Sequence, residues 1–429
     1  MLAFILFSLM AASWPSAGLP GLDEEGLAEL AEASSSGAFR VETRSGEHFE
    51  GQLQGGQAGG LRLVVEGEDA EVPADDWALV WNLKHGEGRP EEAPDLVLLV
   101  APEGVVGTGD RLWGRLLGGD EFGLRMRLDA GLEVEVPFDA VDRLLPGVDR
   151  PLDRLIDLAG GGFDDRLWRR RSDGGLDGVT GVLVRLQDRT LVLESALGEL
   201  DFPAETVLGL VLADTEHPGQ PLEGLPMTVR LMGGSLFEAA LRDVSDGVFL
   251  FETQFATSLA LPGSVIASLL PHRREGRMTP LSRLDPAVVE EWPALGGPEA
   301  VLFPWRRELS VSGQALRVGG LLRTTGLGVH ANARLGYVVP EDVSGLRVTV
   351  GLVDEVFDLP AEASVTFEIL VDGTSRASTG LFREGDAPKD LRVDGLEAGQ
   401  LIELITLDAG DLDAGDRAAW VDGLFYSDA

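Results

Sequence analysis

Apolar and polar residues alternate with a period of two along most of this chain, in short segments such as Leu61 to Val65 and Leu191 to Glu194. A period of two is the mark of a strand with one buried face. The segments recur within a repeated frame. A proline follows an apolar residue at Val72-Pro73, Val136-Pro137, Phe202-Pro203 and Leu261-Pro262. Four residues after each proline stands Trp77, Val141, Val207 or Ile266, and seven after stands Val80, Leu144, Leu210 or Leu269. About 22 residues before each proline lies a small residue, Gly51, Gly114, Gly181 or Ala240. A register kept in four copies predicts four β units of about 50 residues, each a run of strands and turns in which the proline opens a last short strand. A sheet that small hides its apolar face only by curling into a barrel or by stacking on a neighbour.

The frame divides the chain. The β units are expected at 37–84, 95–146, 147–213 and 225–272, the third opening with a helical connector, Leu152 to Leu158, and the first preceded by a helical lead-in at 19–36. Pro286, Pro293, Pro298 and Pro304 punctuate a linker at 273–300, and a last domain is expected at 301–429. It too alternates, in Leu346 to Leu352, Ser364 to Val371 and Leu401 to Leu407, and Asp372-Gly373 is a hairpin signal. The expected class is all-β throughout, with a two-sheet sandwich at the C-terminal end.

Composition narrows the partners. Seventy-two acidic against 35 basic residues leave a formal net charge of -37, which repels phosphate backbones and anionic membrane surfaces and suits neutral sugars or cations. Zero cysteines remove disulfides and thiolate chemistry. Met1 to Ala12 is an apolar run of signal-peptide length, with small residues at Ser16, Ala17 and Gly18, so residues 1–18 are expected to direct export to the periplasm, cell surface or exterior. No serine elbow, zinc motif or phosphate loop occurs, and with so many carboxylates chance pairs say nothing of glycoside hydrolysis.

Among the tryptophans, Trp77 shares its repeat position with aliphatic residues and is expected in a core, as are Trp113, Trp168 and Trp420. For Trp81, core and sugar-stacking roles both stay open. His330, after a glycine-rich turn, is a candidate for a sugar hydroxyl, with Asn332 and Arg334 as bidentate partners for vicinal hydroxyls. Asp411, Asp413 and Asp416, with Asp422 further on, crowd carboxylates about a glycine-rich loop, which reads as a solvated acidic turn or, alternatively, a Ca2+ site.

The residues Gly326 to Ala331, Tyr337, Val350-Gly351, Ser364 to Phe367, Asp372-Gly373 and Ala419 to Asp422 resemble the NPCBM family of carbohydrate-binding modules, often attached to glycoside hydrolases. The resemblance implies a galactose-binding-like β-sandwich with affinity for glycans and no catalysis. The whole chain resembles exported planctomycete multidomain proteins of that kind. Two departures stand out. The family's Asp-His-Ala-Asp-Trp stretch is here Asp416-Arg417-Ala418-Ala419-Trp420, and its Asp pair after the Val-Gly strand appears as Asp354-Glu355, displaced by Val353. The expectation is an exported, non-catalytic protein that binds a glycan or polysaccharide through its last domain and uses the β units as spacer or platform. A cell-envelope protein built for contacts with other proteins is the alternative, and a glycosidase or its accessory the third.

Overall fold

The computed structural model describes residues 38–43, 48–57, 60–73, 77–83, 95–99, 110–120, 122–147, 163–171, 175–213, 222–245, 247–256, 258–271, 278–294, 301, 303–354, 363–410 and 413–427. The apolar segment at 1–18, the lead-in at 19–36 and the connector around Leu152 to Leu158 lie outside the described residues. Within them the chain is all-β, with no α-helix and only short 3-10 turns.

Twenty strands fall into four groups of five. They are β1 to β5 (Ala38–Thr43, His48–Gln57, Gly60–Val65, Glu68–Pro73, Trp77–Asn82) and β6 to β10 (Asp95–Leu99, Arg111–Gly119, Gly123–Leu128, Glu133–Pro137, Val141–Leu145). They continue as β11 to β15 (Asp165–Arg170, Leu176–Gln187, Thr190–Ser195, Gly198–Pro203, Val207–Val211) and β16 to β20 (Leu225–Leu231, Leu236–Ser245, Val248–Thr253, Leu259–Pro262, Ile266–Pro271). In each group the repeated proline ends the fourth strand opposite the first residue of the third, as in Gly60↔Pro73 and Val248↔Pro262. Proline fits there because it ends an edge strand, where its missing N–H interrupts no ladder. In the last three groups the residues after it form one 3-10 turn that swings the chain to the fifth strand.

The small residue on each second strand has a steric cause. A Cβ on Gly51, Gly114 or Gly181 would stand 2.3, 2.1 or 2.5 Å from a third-strand carbonyl, that of Val64, Arg127 or Glu194. The register corrects the fourth copy. Phe39↔Gly51, Asp95↔Gly114 and Asp165↔Gly181 are matched by Met227↔Ala239, so Ala239 and not Ala240 is the equivalent residue. Two residues beyond, each second strand carries a bulge, after Leu53, Leu116, Leu183 and Leu241. A bulge bends and twists its strand, so the second strand leaves one side of the curled sheet and continues in the other.

The groups pair first with fourth and second with third. Fifth strands lie antiparallel across Val80↔Leu269 and across Leu144↔Leu210, joining residues of the same repeat position. Second strands meet across Gly56↔Val244 and Gly119↔Leu186, again at equivalent positions. Two six-stranded rings result, β1-β2-β17-β16-β20-β5 and β6-β7-β12-β11-β15-β10. One continuous apolar core runs through all four groups and includes Trp77, Leu144, Leu210 and Phe249. Trp77 is 1% exposed, and Trp113 is buried as expected. Trp168 is only half-buried, under the Arg166 guanidinium at 4.4 Å.

The C-terminal sandwich packs β21 (Met278–Pro280), β23 (Arg306–Arg307), β26 (Gly326–His330), β28 (Gly345–Leu352), β31 (Lys389–Asp394) and β33 (Arg417–Tyr426) against a second sheet. That sheet holds β22 (Val288–Glu291), β27 (Ala333–Val338), β29 (Ser364–Val371), β30 (Thr374–Arg383) and β32 (Leu401–Asp408). A short hairpin, β24 (Arg317–Val318) and β25 (Leu321–Leu322), covers part of the first sheet's outer face by burying Leu316 and Val318 on Ala419 and Val421. The expected linker is corrected here. β21 pairs with β33 and β22 with β27, so residues 278–291 belong to both sheets of the sandwich. Trp420 is 1% exposed between the sheets, edge-on to Phe367 at 5.3 Å, with its Nε1–H donated to Thr406 Oγ1 at 2.9 Å.

The sandwich sits on the repeats. Leu424 joins Leu79, Trp81 and Leu270 in one apolar cluster, which assigns Trp81 to an interdomain core and removes it as a sugar platform. Arg230 of β16, 1% exposed, donates to Thr324 O at 3.0 Å and lies 3.9 Å from Glu308, itself buried. Arg283 pairs with Glu238, and Arg347 with Glu42.

Two predictions follow from these contacts. Gly114→Ala drives a Cβ into the Arg127 carbonyl and is expected to cost about 1–3 kcal/mol, as overpacking does, read as a lower urea midpoint of the repeat transition. Arg230→Ala leaves Glu308 buried beside an empty site and is expected to cost about 3–5 kcal/mol, with a separate, earlier transition of the sandwich in calorimetry; an unchanged single transition would show that the clasp does not couple the two parts.

Candidate carbohydrate-binding corner

His330, Asn332 and Arg334 do not converge. Alternation on β26 turns Leu327 and Val329 inward and leaves His330 on the outer face of its sheet. On β27, Leu335 and Tyr337 point inward, so Arg334 lies on the outer face of the opposite sheet, where it pairs with Glu403 and with Glu290 at 2.9 Å. Arg334 is thereby occupied, and no sugar diol faces both residues at once. Asn332 sits between, 8% exposed, after a cis peptide bond from Ala331. It clamps the end of β32, donating Nδ2–H to Asp408 Oδ2 at 3.1 Å while its Oδ1 accepts the Asp408 N–H at 2.8 Å.

The acidic loop does not form a metal site among the described residues. Asp413 Oδ2 accepts the Ala294 N–H at 2.7 Å, and Asp416 Oδ1 accepts the Ser364 N–H at 2.9 Å from 1% exposure. Asp422 pairs with Arg323 at 3.2 Å, and its backbone, at φ 52°, bulges β33 where the strand passes from β26 to β21 as a partner. Burial raises the Asp422 carboxyl above the usual range, offset by Arg323. These carboxylates serve separate protein donors, and among the described residues no group of three or more acidic or histidine side chains could hold a metal ion. Asp411 lies outside the described residues. The described members of the Ca2+ alternative, Asp413, Asp416 and Asp422, are thus engaged by separate protein groups and do not gather at one point.

A different set gathers around His330. Its Nδ1 lies 2.7 Å from Ala331 O, which requires Nδ1 to carry the proton and leaves Nε2 as an acceptor. The imidazole stacks on Phe303 at 5.4 Å and 23°, and the Arg417 guanidinium lies 4.8 Å over the same Phe303 ring. Burial lowers the His330 pKa, with Asp413 acting in the opposite direction and Arg417 adding to the lowering, so the ring is neutral near pH 7. Beside it runs the segment 292–294. Trp292 exchanges backbone hydrogen bonds with Asn332, its N–H reaching Asn332 O at 3.1 Å, while Asp413 holds Ala294. The backbone of Trp292 is thus fixed at two points while its side chain stays 40% exposed. Glu291 accepts the Trp305 N–H at 2.6 Å, and Trp305 packs on the sandwich core under Arg307.

Sequence reasoning singled out His330 and passed over Trp292, Phe303 and Trp305. They lie in or beside the stretch that its prolines mark as a linker, although three aromatics within 14 residues of a domain edge are themselves a signal. The family departure at Arg417 is explained in place, since its guanidinium roofs Phe303 next to His330.

Asn332→Ala removes both halves of the clamp on Asp408 and is expected to cost about 1–3 kcal/mol, seen as a lower melting temperature of the sandwich. Asn332→Asp is expected to be no better, because it sets two carboxylates face to face.

Comparison with known proteins bears on this domain. The NPCBM/NEW2 domain family matches residues 292–425. The alpha-1,3-galactosidase B of Akkermansia muciniphila is 26% identical over 181 residues, covering 40% of this chain and 22% of that enzyme, so the chain spans less than a quarter of the curated relative it matches. Among solved structures, the CBM51 of Clostridium perfringens GH95 in complex with methyl-galactose is 21% identical, with a TM-score of 0.30, 34% of this chain and 99% of that one covered. The CBM51-2 and INT domains of Clostridium perfringens ZmpB, in complex with GlcNAc, show 22% identity, a TM-score of 0.30, and coverage of 42% and 37%. The tandem CBM51 modules of a family 98 glycoside hydrolase from Streptococcus pneumoniae show 10% identity, a TM-score of 0.31, and coverage of 91% and 88%. The Gly-Leu-Gly-Val-His-Ala strand, the core Trp420 and the Asp422 bulge thus all lie within the stretch, residues 292–425, that matches the NPCBM/NEW2 domain.

Proposed function

We propose that the chain is an exported, non-catalytic glycan-binding protein whose sandwich takes a neutral sugar at the corner formed by Trp292, His330, Asp413 and Arg417. The observations that carry this reading are the half-exposed Trp292 on a backbone hydrogen-bonded to Asn332, and the neutral, Phe303-stacked His330 two residues before that Asn332. An indole face suits the apolar face of a pyranose, and a ring already held in place loses little freedom when it binds. Nε2 of His330 accepts a hydroxyl proton, Arg417 supplies donors and Asp413 an acceptor, a mixed set that suits hydroxyl groups better than phosphate or a cation. The net charge of -37 favours neutral ligands in the same direction. The two repeat rings serve as the platform on which the module is fixed, and the apolar segment at the N-terminal end supports export.

Glycan-array binding of the full chain tests the reading, followed by titration of any sugar retained. Trp292→Ala is expected to weaken that binding about tenfold or more, about 1.4 kcal/mol, without lowering the melting temperature; full retention of affinity would refute the corner as the site. The pH dependence has a defined sign. A histidine whose pKa is lowered by burial resists protonation, so affinity is expected to hold above about pH 6.5 and to fall in acid as the imidazole takes up a proton and Nε2 ceases to accept. His330→Ala should abolish that acid dependence.

A further inference from the structure

The two repeat rings close differently, and the difference opens a cleft. In the ring of the first and fourth groups the second strands share three residue pairs, Gly55 to Gln57 against Asp243 to Ser245. In the ring of the second and third groups they share one, Gly119↔Leu186. β7 ends at that single pair, and a cavity of about 980 Å3 is lined by residues 117–120 and 122–125 on one side and 184–188 on the other. Its floor is core, formed by Leu124, Val136 and Leu186 with Phe255 from the fourth group, all under 5% exposed. Glycines 118, 119 and 123 leave the strand ends bare of side chains.

The walls are polar and of both signs. Arg125, Arg185, Gln187, Asp120, Glu135 and Asp188 line them, two positive groups against three negative. At the rim Phe122 is 76% exposed, and its backbone is fixed from both sides. The Asp120 carboxylate accepts its N–H at 3.0 Å, and its own carbonyl accepts the Phe138 N–H at 3.2 Å. A large apolar ring held out in solvent by a pinned backbone costs hydration unless something covers it.

We propose that this cleft is a second binding site, distinct from the sandwich corner, for a neutral oligosaccharide. The Phe122 face takes the apolar side of a sugar ring, the Arg125 guanidinium with the carboxylate and amide groups takes vicinal hydroxyls while Arg185 is held by Glu199 at 2.9 Å, and the apolar floor excludes water beneath. An anionic ligand is disfavoured by the surplus carboxylate. The β7 and β12 edges that face each other share one residue pair, so a peptide added as a strand is the competing occupant, and the test separates it from a sugar.

The test uses the full chain carrying Trp292→Ala, so that binding at the sandwich corner is weakened, titrated calorimetrically with maltoheptaose, xylohexaose and an N-acetyllactosamine tetrasaccharide. At least one probe is expected to bind, and adding Phe122→Ala or Gln187→Ala, both surface changes, is expected to weaken it about tenfold or more. The proposal is overturned if no probe binds the Trp292→Ala chain, if both further substitutions leave affinity unchanged, or if a random decapeptide pool binds in a Phe122-dependent way while the sugars do not. Failure of the sandwich reading is seen separately, as a Trp292→Ala chain that binds every probe as the parent does.

Discussion

Each repeat leaves the far edge of its fifth strand unpaired, and the architecture depends on how those edges are joined. A five-stranded curled sheet exposes backbone donors and acceptors along that edge and part of its apolar face beside it. Here the edge is matched to the same edge of another repeat, at Val80↔Leu269 and Leu144↔Leu210. Together with the second-strand pairs Gly56↔Val244 and Gly119↔Leu186, that pairing turns four sheets into two closed rings with a common core. Closure also explains the close approach at Gly51, Gly114 and Gly181, since a ring of six strands is narrow and its second strands must cross tightly over the third.

The same pairing sets the platform for the module. Because the first and fourth groups form one ring, β5 and β20 lie side by side, and Leu79, Trp81 and Leu270 make a common patch that receives Leu424. Around this apolar contact the buried Arg230 reaches the Thr324 carbonyl and Glu308. Ionic groups desolvated in this way hold geometry more than they add stability. The proposed corner at Trp292 and the cleft at Phe122 are therefore carried on parts held by packed contacts.

Within the module the separation of roles is physical. Trp420, Tyr337 and Asp422 sit in the core or at a bulge, and they mark the fold because packing leaves little choice of residue there. His330 ends β26 opposite Arg417, which starts β33, and Trp292 follows β22, so these three lie at strand ends. Loops positioned by a rigid scaffold are where binding groups collect.

Periodicity, the proline register and the glycine spacing were legible in the chain because they are local: a strand shows its buried face every second residue, and a proline shows where a ladder must end. By itself the sequence determined the all-β class, the recurring strand frame and the burial of Trp77 and Trp420. Tertiary structure alone decided which repeat meets which, because pairing between residues such as Val80 and Leu269 leaves no spacing to read. It also decided that 278–291 complete the sandwich, that Arg334 faces away from His330, and that the acidic loop spends its carboxylates on backbone N–H groups and an arginine. Each of these depends on which face of a strand, or which end of a sheet, two distant segments share, and alternation along one strand cannot report that.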